Sequence, residues 1–187
     1  GPDTVVAVGA GDRIHVQIQS WRVNVEPGSG DMLEVFDDGR RSRIEVVRRG
    51  SRLEVRSRPR GWESSRVVRL RVPPGTAVEV DGHDLEVVAQ GLTGGLRVGV
   101  VEGDLSAFDI EGGVELRAVD GDLVVARVRG GGGAATVDGD VRLADIAGRV
   151  AVESMDGDLV LDQVDGDEVI ATTVDGAIHF SGPLSPG

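Results

Sequence analysis

Glycines spaced nine residues apart constrain the fold of this chain more than any other feature of its sequence. They stand at positions 94, 103, 112, 121, 130, 139, 148, 157 and 166, and one additional residue then moves the next glycine to 176. Self-similarity at a short fixed period indicates a repeat architecture, in which each unit packs only against its neighbours. We therefore expect the second half of the chain to fold as a stack of similar units.

Each nonapeptide has the pattern of a turn followed by a short strand. When glycine is counted as position one, positions three and five are apolar in most units, as Leu123 and Val125 are, and alternate as in a half-buried strand. Position eight is apolar as well, and in the unit that begins at Gly121 we expect Leu123, Val125 and Val128 to fill the core. The residues at position eight are Val101, Ile110, Val119, Val128, Val137, Ile146, Met155 and Val164.

Alternate units differ, so the true period is 18 residues. The glycines at 103, 121, 139 and 157 each stand between two acidic residues, and the intervening glycines do not. We predict an all-β fold, a single-stranded parallel β-helix (β-solenoid) with about 18 residues per coil and roughly five coils between residues 76 and 182. Coils stacked about 4.8 Å apart would bury a continuous column of Val, Leu and Ile. The alternative is an antiparallel meander, which predicts hairpins instead of pairing between residues i and i+18.

The coil that contains "RGGGGAATVDGD" has little apolar volume. Gly132 and Ala134 occupy positions that hold Leu or Val in other coils. Because protein cores are close-packed, we expect bulkier neighbours to fill this layer, and a functional groove is the alternative.

Residues 1–75 lack the nine-residue period but alternate in the manner of strands, for example in "RIHVQIQ" and "RLEVRSR". Gly39 and Gly50 are expected in hairpin turns, and "VPPG" ends the last strand. Solenoids need covered ends, so we divide the chain into a β-rich N-terminal cap at residues 1–75, continuous with the solenoid, and a solenoid repeat region at residues 76–187. Trp21 and Trp62 are expected to pack within the cap.

Composition narrows the classes of function. The chain has no Cys, which excludes disulfides and thiolate chemistry. Its three histidines, His15, His83 and His179, occur singly in the sequence, so no cofactor or metal centre is expected. No run of 18 apolar residues predicts a membrane span. Residues 1–80 hold 14 Arg against 11 acids, a net charge of +3, whereas residues 81–187 hold 6 Arg against 21 acids, a net charge of −15. An acidic chain with 3% aromatic residues is not expected to bind nucleic acid.

The order of the motifs carries a resemblance. The segment "RLRVPPGTAVEV", the repeated V-x-G-D-[LV]-x-[LV] units and the segment "GAIHFSGPLSPG" together resemble the Toastrack-type β-strand repeat family of bacteria, which is labelled an adhesin family. The resemblance covers most of the chain and implies a single-stranded β-helix. It also implies an extracytoplasmic, membrane-tethered place in the cell envelope, as in PspC-like and envelope-stress proteins. The family has no established catalytic residues, so the resemblance implies none here.

The repeated Asp-Gly-Asp motif allows two interpretations. Stacked coils would place Asp120, Asp138 and Asp156 in one column and Asp122, Asp140 and Asp158 in another. Hard carboxylate oxygens at that density suit Ca²⁺, so the two columns are a candidate calcium ladder. The alternative is a turn in which each carboxylate accepts a hydrogen bond from a local backbone N–H and faces solvent.

Arginines concentrate between residues 40 and 60, and alternation must place some of them on one strand face. Such a face could bind anionic lipid head groups, or it could be a solvated face crossed by salt bridges. The arginines are Arg40, Arg41, Arg43, Arg48, Arg49, Arg52, Arg56, Arg58 and Arg60.

These observations favour a non-catalytic structural or interaction module of the bacterial cell envelope, acting in adhesion or envelope-stress sensing. An enzyme is not expected, because the acids follow the period of the fold and no pair stands apart from the others. The partner would be a protein or another envelope component, and end-to-end self-association is a further hypothesis. The alternative function is a calcium- or anionic-ligand-binding module.

Overall fold

The computed structural model of this chain describes residues 1–38, 44–57, 66–165 and 168–182. These residues form nineteen strands and no helix, and the strands build two sheets on either side of a single apolar core. The fold is a β-solenoid, as the repeat predicts. Within these residues, no helix is long and apolar enough to cross a membrane.

Strands alternate between the two sheets in the repeat region. In spatial order, the ten-stranded sheet contains β1 (Thr4–Ala7), β4 (Met32–Asp37), β7 (Val67–Val72), β3 (Arg22–Pro27), β9 (Glu86–Gln90), β11 (Leu105–Glu111), β13 (Leu123–Arg129), β15 (Val141–Ala147), β17 (Leu159–Asp165) and β19 (Ile178–Ser181). The nine-stranded sheet contains β18 (Val169–Asp175), β16 (Val150–Asp156), β14 (Gly132–Asp138), β12 (Val114–Asp120), β10 (Leu96–Glu102), β8 (Ala77–Asp84), β2 (Arg13–Gln17), β6 (Arg52–Ser57) and β5 (Ile44–Arg49).

Pairing in the repeat region is parallel, with partners 18 residues apart. Leu105 lies beside Leu123, and Leu123 lies beside Val141. One extra residue raises the spacing to 19 in the last coil, where Leu159 lies beside Ile178. This pairing excludes the meander. Strands β8 to β19 make six coils rather than the five that we expected, because β8 and β9 already form a coil before the first repeated glycine.

The N-terminal strands belong to the same two sheets but are stacked out of sequence order. β2 and β3 pair in parallel with β8 and β9 on one side, and with β6 and β7 on the other. The coil made by β2 and β3 is therefore enclosed by two coils that come later in the chain. Antiparallel pairing of β5 with β6, through a turn at Gly50 (φ +62°), and of β4 with β7 covers this end.

Trp21 is not packed in the cap, contrary to our expectation. It lies at the corner between β2 and β3, outside the alternation that points side chains into the core, and 49% of its surface is exposed. The guanidinium of Arg22 covers one face of the indole, 4.8 Å from the ring centroid. Trp62 and Gly39 lie outside the described residues.

One corner of the solenoid is a column of glycines formed by Gly103, Gly121, Gly139, Gly157 and Gly176. A Cβ atom at Gly121 would overlap the carbonyl oxygen of Gly103, and each later glycine has the same relation to the one before it. Glycine is required here because consecutive coils approach closely. In the thin layer, a Cβ atom at Gly132 would lie 3.5 Å from Ile146 Cγ2, so a neighbouring side chain occupies the space, as expected.

Candidate functional site

The residues at position eight divide into two groups that point in opposite directions. On the ten-stranded sheet the buried members are Ile110, Val128, Ile146 and Val164. On the nine-stranded sheet the exposed members are Val101, Val119, Val137 and Met155. Val128 therefore fills the core as expected, whereas the apolar residues of the second group face outward.

A backbone kink accounts for this division. Asp109, Arg127, Asp145 and Gln163 have φ angles between 51° and 57°, in the left-handed region that non-glycine residues seldom adopt. The kink shifts the alternation of β11, β13, β15 and β17 by one residue, so the apolar residue that follows it turns inward. β10, β12, β14 and β16 contain no residue with positive φ, and their regular alternation carries the sixth residue outward.

The outward residues form a continuous strip that we call the apolar row: Val101, Val119, Val137, Met155 and Val174. Between 37% and 68% of each side chain is exposed. The five strands are neighbours in the sheet, so the side chains lie about 4.8 Å apart. The preference of valine for strands could account for the exposed valines of this row, but methionine has no such preference, so strand propensity does not account for Met155. A contiguous exposed apolar strip of this kind is typical of an interaction surface.

A groove of about 450 Å³ runs beside the apolar row on the outer face of the nine-stranded sheet. Four members of the apolar row, Val101, Val119, Val137 and Met155, form one wall. The adjacent outward row is Gly99, Arg117, Ala135 and Glu153, in register across β10, β12, β14 and β16. Gly99 and Ala135 leave space above the backbone, so the groove is a consequence of small residues in that row.

Acidic residues form a second strip directly beyond the apolar row, which we call the acidic column. Its members are exposed and in register from coil to coil: Asp84, Glu102, Asp120, Asp138, Asp156 and Asp175. Neighbouring carboxylates at about 4.8 Å repel each other by roughly 1 kcal/mol in water before salt screening. Positive charge placed along the column would relieve this repulsion.

A separate carboxylate ladder follows the glycine column. Asp104, Asp122 and Asp140 each accept, through Oδ1, a hydrogen bond from the backbone N–H of the next aspartate one coil later, at 2.8 to 2.9 Å. Asp158 accepts a hydrogen bond from the N–H of Ala177 in the same way. The donor is thus 18 or 19 residues away, whereas the turn interpretation expected a local one. The ladder links coils.

The six aspartates of the candidate calcium ladder therefore occupy two different environments. Asp120, Asp138 and Asp156 belong to the acidic column, and Asp122, Asp140 and Asp158 belong to the carboxylate ladder. The ladder oxygens that accept backbone N–H groups would have to share those lone pairs with a cation. Calcium binding at these residues stays the alternative hypothesis.

His15 lies in a cluster that the sequence did not reveal. Its Nε2 is 2.6 Å from Asp81 Oδ2 and 4.0 Å from Glu79 Oε1, and the Arg52 guanidinium contacts its Nδ1. Among the described residues, His15, Glu79 and Asp81 are the one group of three whose potential metal ligands lie within 4.8 Å of one another. Because a guanidinium only donates, Nδ1 must accept, and Nε2 then carries the proton towards Asp81.

No signal in the sequence could have brought this cluster together. His15 and Asp81 are 66 residues apart, and they meet because β2 pairs directly with β8. That pairing depends on the stacking order of the cap, which the alternation of residues 1–75 does not specify.

The arginine-rich segment is only partly described, since Arg40, Arg41, Arg43, Arg58 and Arg60 lie outside the described residues. Arg48 pairs with Asp12 at 2.9 Å. Arg49, Arg52 and Arg56 surround the buried carboxylate of Glu54. These contacts are those of a strand face crossed by salt bridges. Binding of anionic lipid to the Arg40 to Arg60 segment stays a prediction.

A second depression, of about 530 Å³, lies towards the opposite corner of the same sheet. Its floor is made largely of glycine backbone, from Gly94 to Gly131, and four arginines with two glutamates line it. The arginines are Arg13, Arg52, Arg97 and Arg149, and the glutamates are Glu79 and Glu115. The surplus of positive charge distinguishes this trough from the groove beside the apolar row.

Within the described residues, β18 and β19 of the last coil are the outermost strands of their sheets at this end. Ile170 and Phe180 are exposed there. Free edges that carry apolar side chains can pair with another chain. End-to-end self-association stays a prediction.

Comparison with known proteins adds fold-level similarity. No protein-family model and no curated protein matches this chain. Among solved structures, the chain is similar to a candidate cell adhesion protein from Clostridium sporogenes, with 10% identity, coverage of 97% of this chain and 99% of that one, and a TM-score of 0.38. It is also similar to a candidate adhesin from Parabacteroides distasonis, with 12% identity, 95% coverage of both chains and a TM-score of 0.41. A candidate lipid-binding protein from Parabacteroides distasonis matches at 13% identity over 97% of this chain and 95% of that one, with a TM-score of 0.25. These values are too low to transfer a function.

Proposed function

We propose that this chain is a non-catalytic interaction module that binds another macromolecule through the groove on the nine-stranded sheet. The observation that carries the proposal is the apolar row, because four of its side chains, exposed in a continuous strip, form one wall of that groove. The groove is fixed by paired strands on both sides, so a ligand would meet a surface that is already formed.

The repetition of the acids supports a non-catalytic role. General acid–base chemistry needs two groups whose environments separate their pKa values. In the acidic column each carboxylate is exposed and stands between copies of itself, and in the carboxylate ladder each one makes the same hydrogen bond. A strip of equivalent groups suits binding along its length.

The proposal includes a place in the bacterial cell envelope, outside the cytoplasm and tethered to the membrane, with adhesion or envelope-stress sensing as the role. Its support is the motif order "RLRVPPGTAVEV", repeated V-x-G-D units and "GAIHFSGPLSPG", which resembles the Toastrack-type family. A long, rigid, repetitive surface is suited to contacts of this kind.

The test compares the wild-type chain with the double variant Val119→Lys, Val137→Lys in co-sedimentation with isolated bacterial cell envelopes. Both substitutions are at exposed positions, so the variant should fold, with a circular dichroism spectrum and thermal midpoint like those of the wild type. We expect envelope binding by the wild type and its loss in the variant. The matched control is Ser106→Lys, Val124→Lys, which adds the same charge to the outer face of the ten-stranded sheet. Equal binding by wild type and groove variant would contradict the proposal.

Binding of an anionic ligand is the second candidate function. The observation that favours it is the trough of about 530 Å³, where four arginines outnumber two glutamates. The arginines are Arg13, Arg52, Arg97 and Arg149. In the test, calorimetry measures the binding of inorganic polyphosphate to the wild type and to the double variant Arg97→Gln, Arg149→Gln.

The lipid hypothesis for the Arg40 to Arg60 segment is tested with vesicles that contain or lack anionic lipid, at low and at physiological salt concentration. Equal binding to neutral vesicles would remove it.

A further inference from the structure

We infer that the occupant of the groove is an extended cationic polypeptide segment that runs along the solenoid axis and presents an apolar side chain at about every third residue. The inference rests on the proposed function and deepens it by specifying the partner. It follows from three features of the groove: its charge, the order of its rows, and the spacing of its coils.

Charge selects a cationic partner. The acidic column runs the length of the apolar row. On the other side of the groove lie Asp81 and Glu153, together with Arg117, whose guanidinium pairs with Glu115 at 3.1 Å. Residues 81–187, which include every residue that lines the groove, carry a net charge of −15. An anionic polymer or an anionic membrane would be repelled from this face, and a basic segment would be attracted to it.

The order of the rows selects long basic side chains. A partner in the groove is separated from the acidic column by the apolar row, so a cationic group must reach across Val119 or Val137 to meet Asp120 or Asp138. The stems of Lys and Arg are aliphatic and pack on apolar surface while their charged ends stay in water. A basic side chain can therefore cover a valine and neutralise a carboxylate in one contact.

Strand addition is not available inside the groove. β10, β12, β14 and β16 are each paired on both sides, so their backbone groups are already satisfied, and the free edges of this sheet are β5 and β18. An extended partner must consequently keep its own backbone solvated. The polyproline II conformation does so, because it has no internal hydrogen bonds.

The spacing of the coils matches that conformation. Two coils advance about 9.6 Å along the axis, and three residues of polyproline II advance about 9.3 Å with three-fold symmetry. In each turn of such a segment, one side chain can contact the apolar row, one can reach the acidic column, and one faces solvent. The three steps from Val101 to Met155, which line the groove, span about 14 Å, and this length corresponds to about five residues of partner.

The test uses three blocked nonapeptides as probes: (Pro-Leu-Lys)₃, (Pro-Leu-Glu)₃ and (Pro-Ser-Lys)₃. Dissociation constants would be measured by calorimetry at 50 and 150 mM salt, and the contacted residues by amide chemical shifts. We expect (Pro-Leu-Lys)₃ to bind at least tenfold more tightly than either control peptide, with shifts confined to residues around the apolar row. The affinity should fall at the higher salt concentration.

Two variants separate the contributions of the rows. Val119→Lys, Val137→Lys should abolish binding of (Pro-Leu-Lys)₃, and Asp120→Asn, Asp138→Asn, Asp156→Asn should weaken it about tenfold, since each exposed ion pair contributes modestly. Absence of binding by (Pro-Leu-Lys)₃ at 1 mM, or equal binding by (Pro-Ser-Lys)₃, would overturn the inference. Self-association of the wild type that the groove variant abolishes would identify a second copy as occupant and would also overturn it. If (Pro-Leu-Lys)₃ does not bind but envelope binding still depends on Val119 and Val137, the inference about the partner is wrong and the proposed function stands.

Discussion

The backbone N–H of Asp140 donates a hydrogen bond to Asp122 Oδ1, 2.9 Å away and one coil earlier. The aspartate after each repeated glycine therefore helps to hold the stack together. We expect Asp122→Ala to lower the free energy of unfolding by about 1 kcal/mol, because it removes one net hydrogen bond. Asp122→Asn keeps the acceptor and should be close to wild type in urea denaturation. Asp120→Ala removes the same charge from the acidic column and serves as control; a loss equal to that of Asp122→Ala would argue against the ladder.

If the role of the carboxylate ladder is to hydrogen-bond one coil to the next, the stack of coils should not need calcium. We expect addition of millimolar Ca²⁺ to chelated protein to leave the thermal midpoint unchanged, because the Oδ1 atoms of Asp122 and Asp140 already have donors. Calcium binding to the folded state would raise the midpoint, and above the dissociation constant the rise would grow with the logarithm of the calcium concentration. A rise that disappears in Asp122→Asn, Asp140→Asn would establish the calcium ladder instead.

Gly121 should tolerate no side chain. A Cβ atom there would overlap the carbonyl oxygen of Gly103, which is backbone and cannot move without separating two coils. We expect Gly121→Ala to cost about 3 kcal/mol or more in urea denaturation, within the range of severe substitutions. The matched control is Gly133→Ala, where the nearest atom to the added Cβ would be Glu115 Cγ at 3.7 Å. Similar midpoints for the two variants would contradict the close approach of the coils.

The kink at Asp145 should resist β-branched residues. Its φ of 57° is unfavourable for a valine, so Asp145→Val should lower the free energy of unfolding by about 1 to 2 kcal/mol, whereas Asp145→Gly should not. Ala144→Val, one residue earlier on the outer face, has no such restriction and serves as the control. The comparison uses thermal and urea denaturation of the three variants. Equal effects at positions 144 and 145 would show that backbone conformation is not what orients Ile146.

The pH dependence of Asp109 follows from its contact with Arg127. The Arg127 guanidinium donates to Asp109 Oδ1 at 2.6 Å and lowers the pKa of this carboxyl from its ordinary value of 3.8. A lowered pKa in the folded state adds stability that is present above the ordinary pKa and is lost as pH falls through the lowered one. We expect Arg127→Gln to return the Asp109 pKa towards 3.8 in a carboxyl NMR titration. Arg129→Gln, two residues away, should leave it unchanged.

The core of the repeat region could be predicted from the sequence because strand alternation is a local rule. Positions such as Leu123 and Val125 are buried as expected. At position eight the alternation holds in strands such as β12, where Val119 points outward, and is shifted in β13, where the left-handed kink at Arg127 turns Val128 inward. The residue type at position 127 gives no sign of the kink. The four kinked positions hold Asp109, Arg127, Asp145 and Gln163. Because these residue types differ, we infer that the packing of the whole coil imposes the kink.

The candidate site was less accessible to sequence reasoning than the fold. The acids around each repeated glycine were visible. The sequence did not show which of the apolar residues at position eight face outward, and the groove beside them depends on small residues such as Gly99 and Ala135 lying in register. The His15 cluster depends on the pairing of β2 with β8, which residues 1–75 do not encode in any local pattern. Surfaces built by register become visible only when the strands are placed.

The pairing of residues 18 apart also defines how this molecule can change in length. Insertion or deletion of one complete 18-residue unit would add or remove one member of the apolar row, one of the acidic column and one of the carboxylate ladder, while the cross-section stays the same. A change of nine residues would instead place a kinked strand in the nine-stranded sheet and bury a residue that should face outward. Reach and avidity could therefore evolve in whole-coil steps, by duplication of a single short segment of the gene.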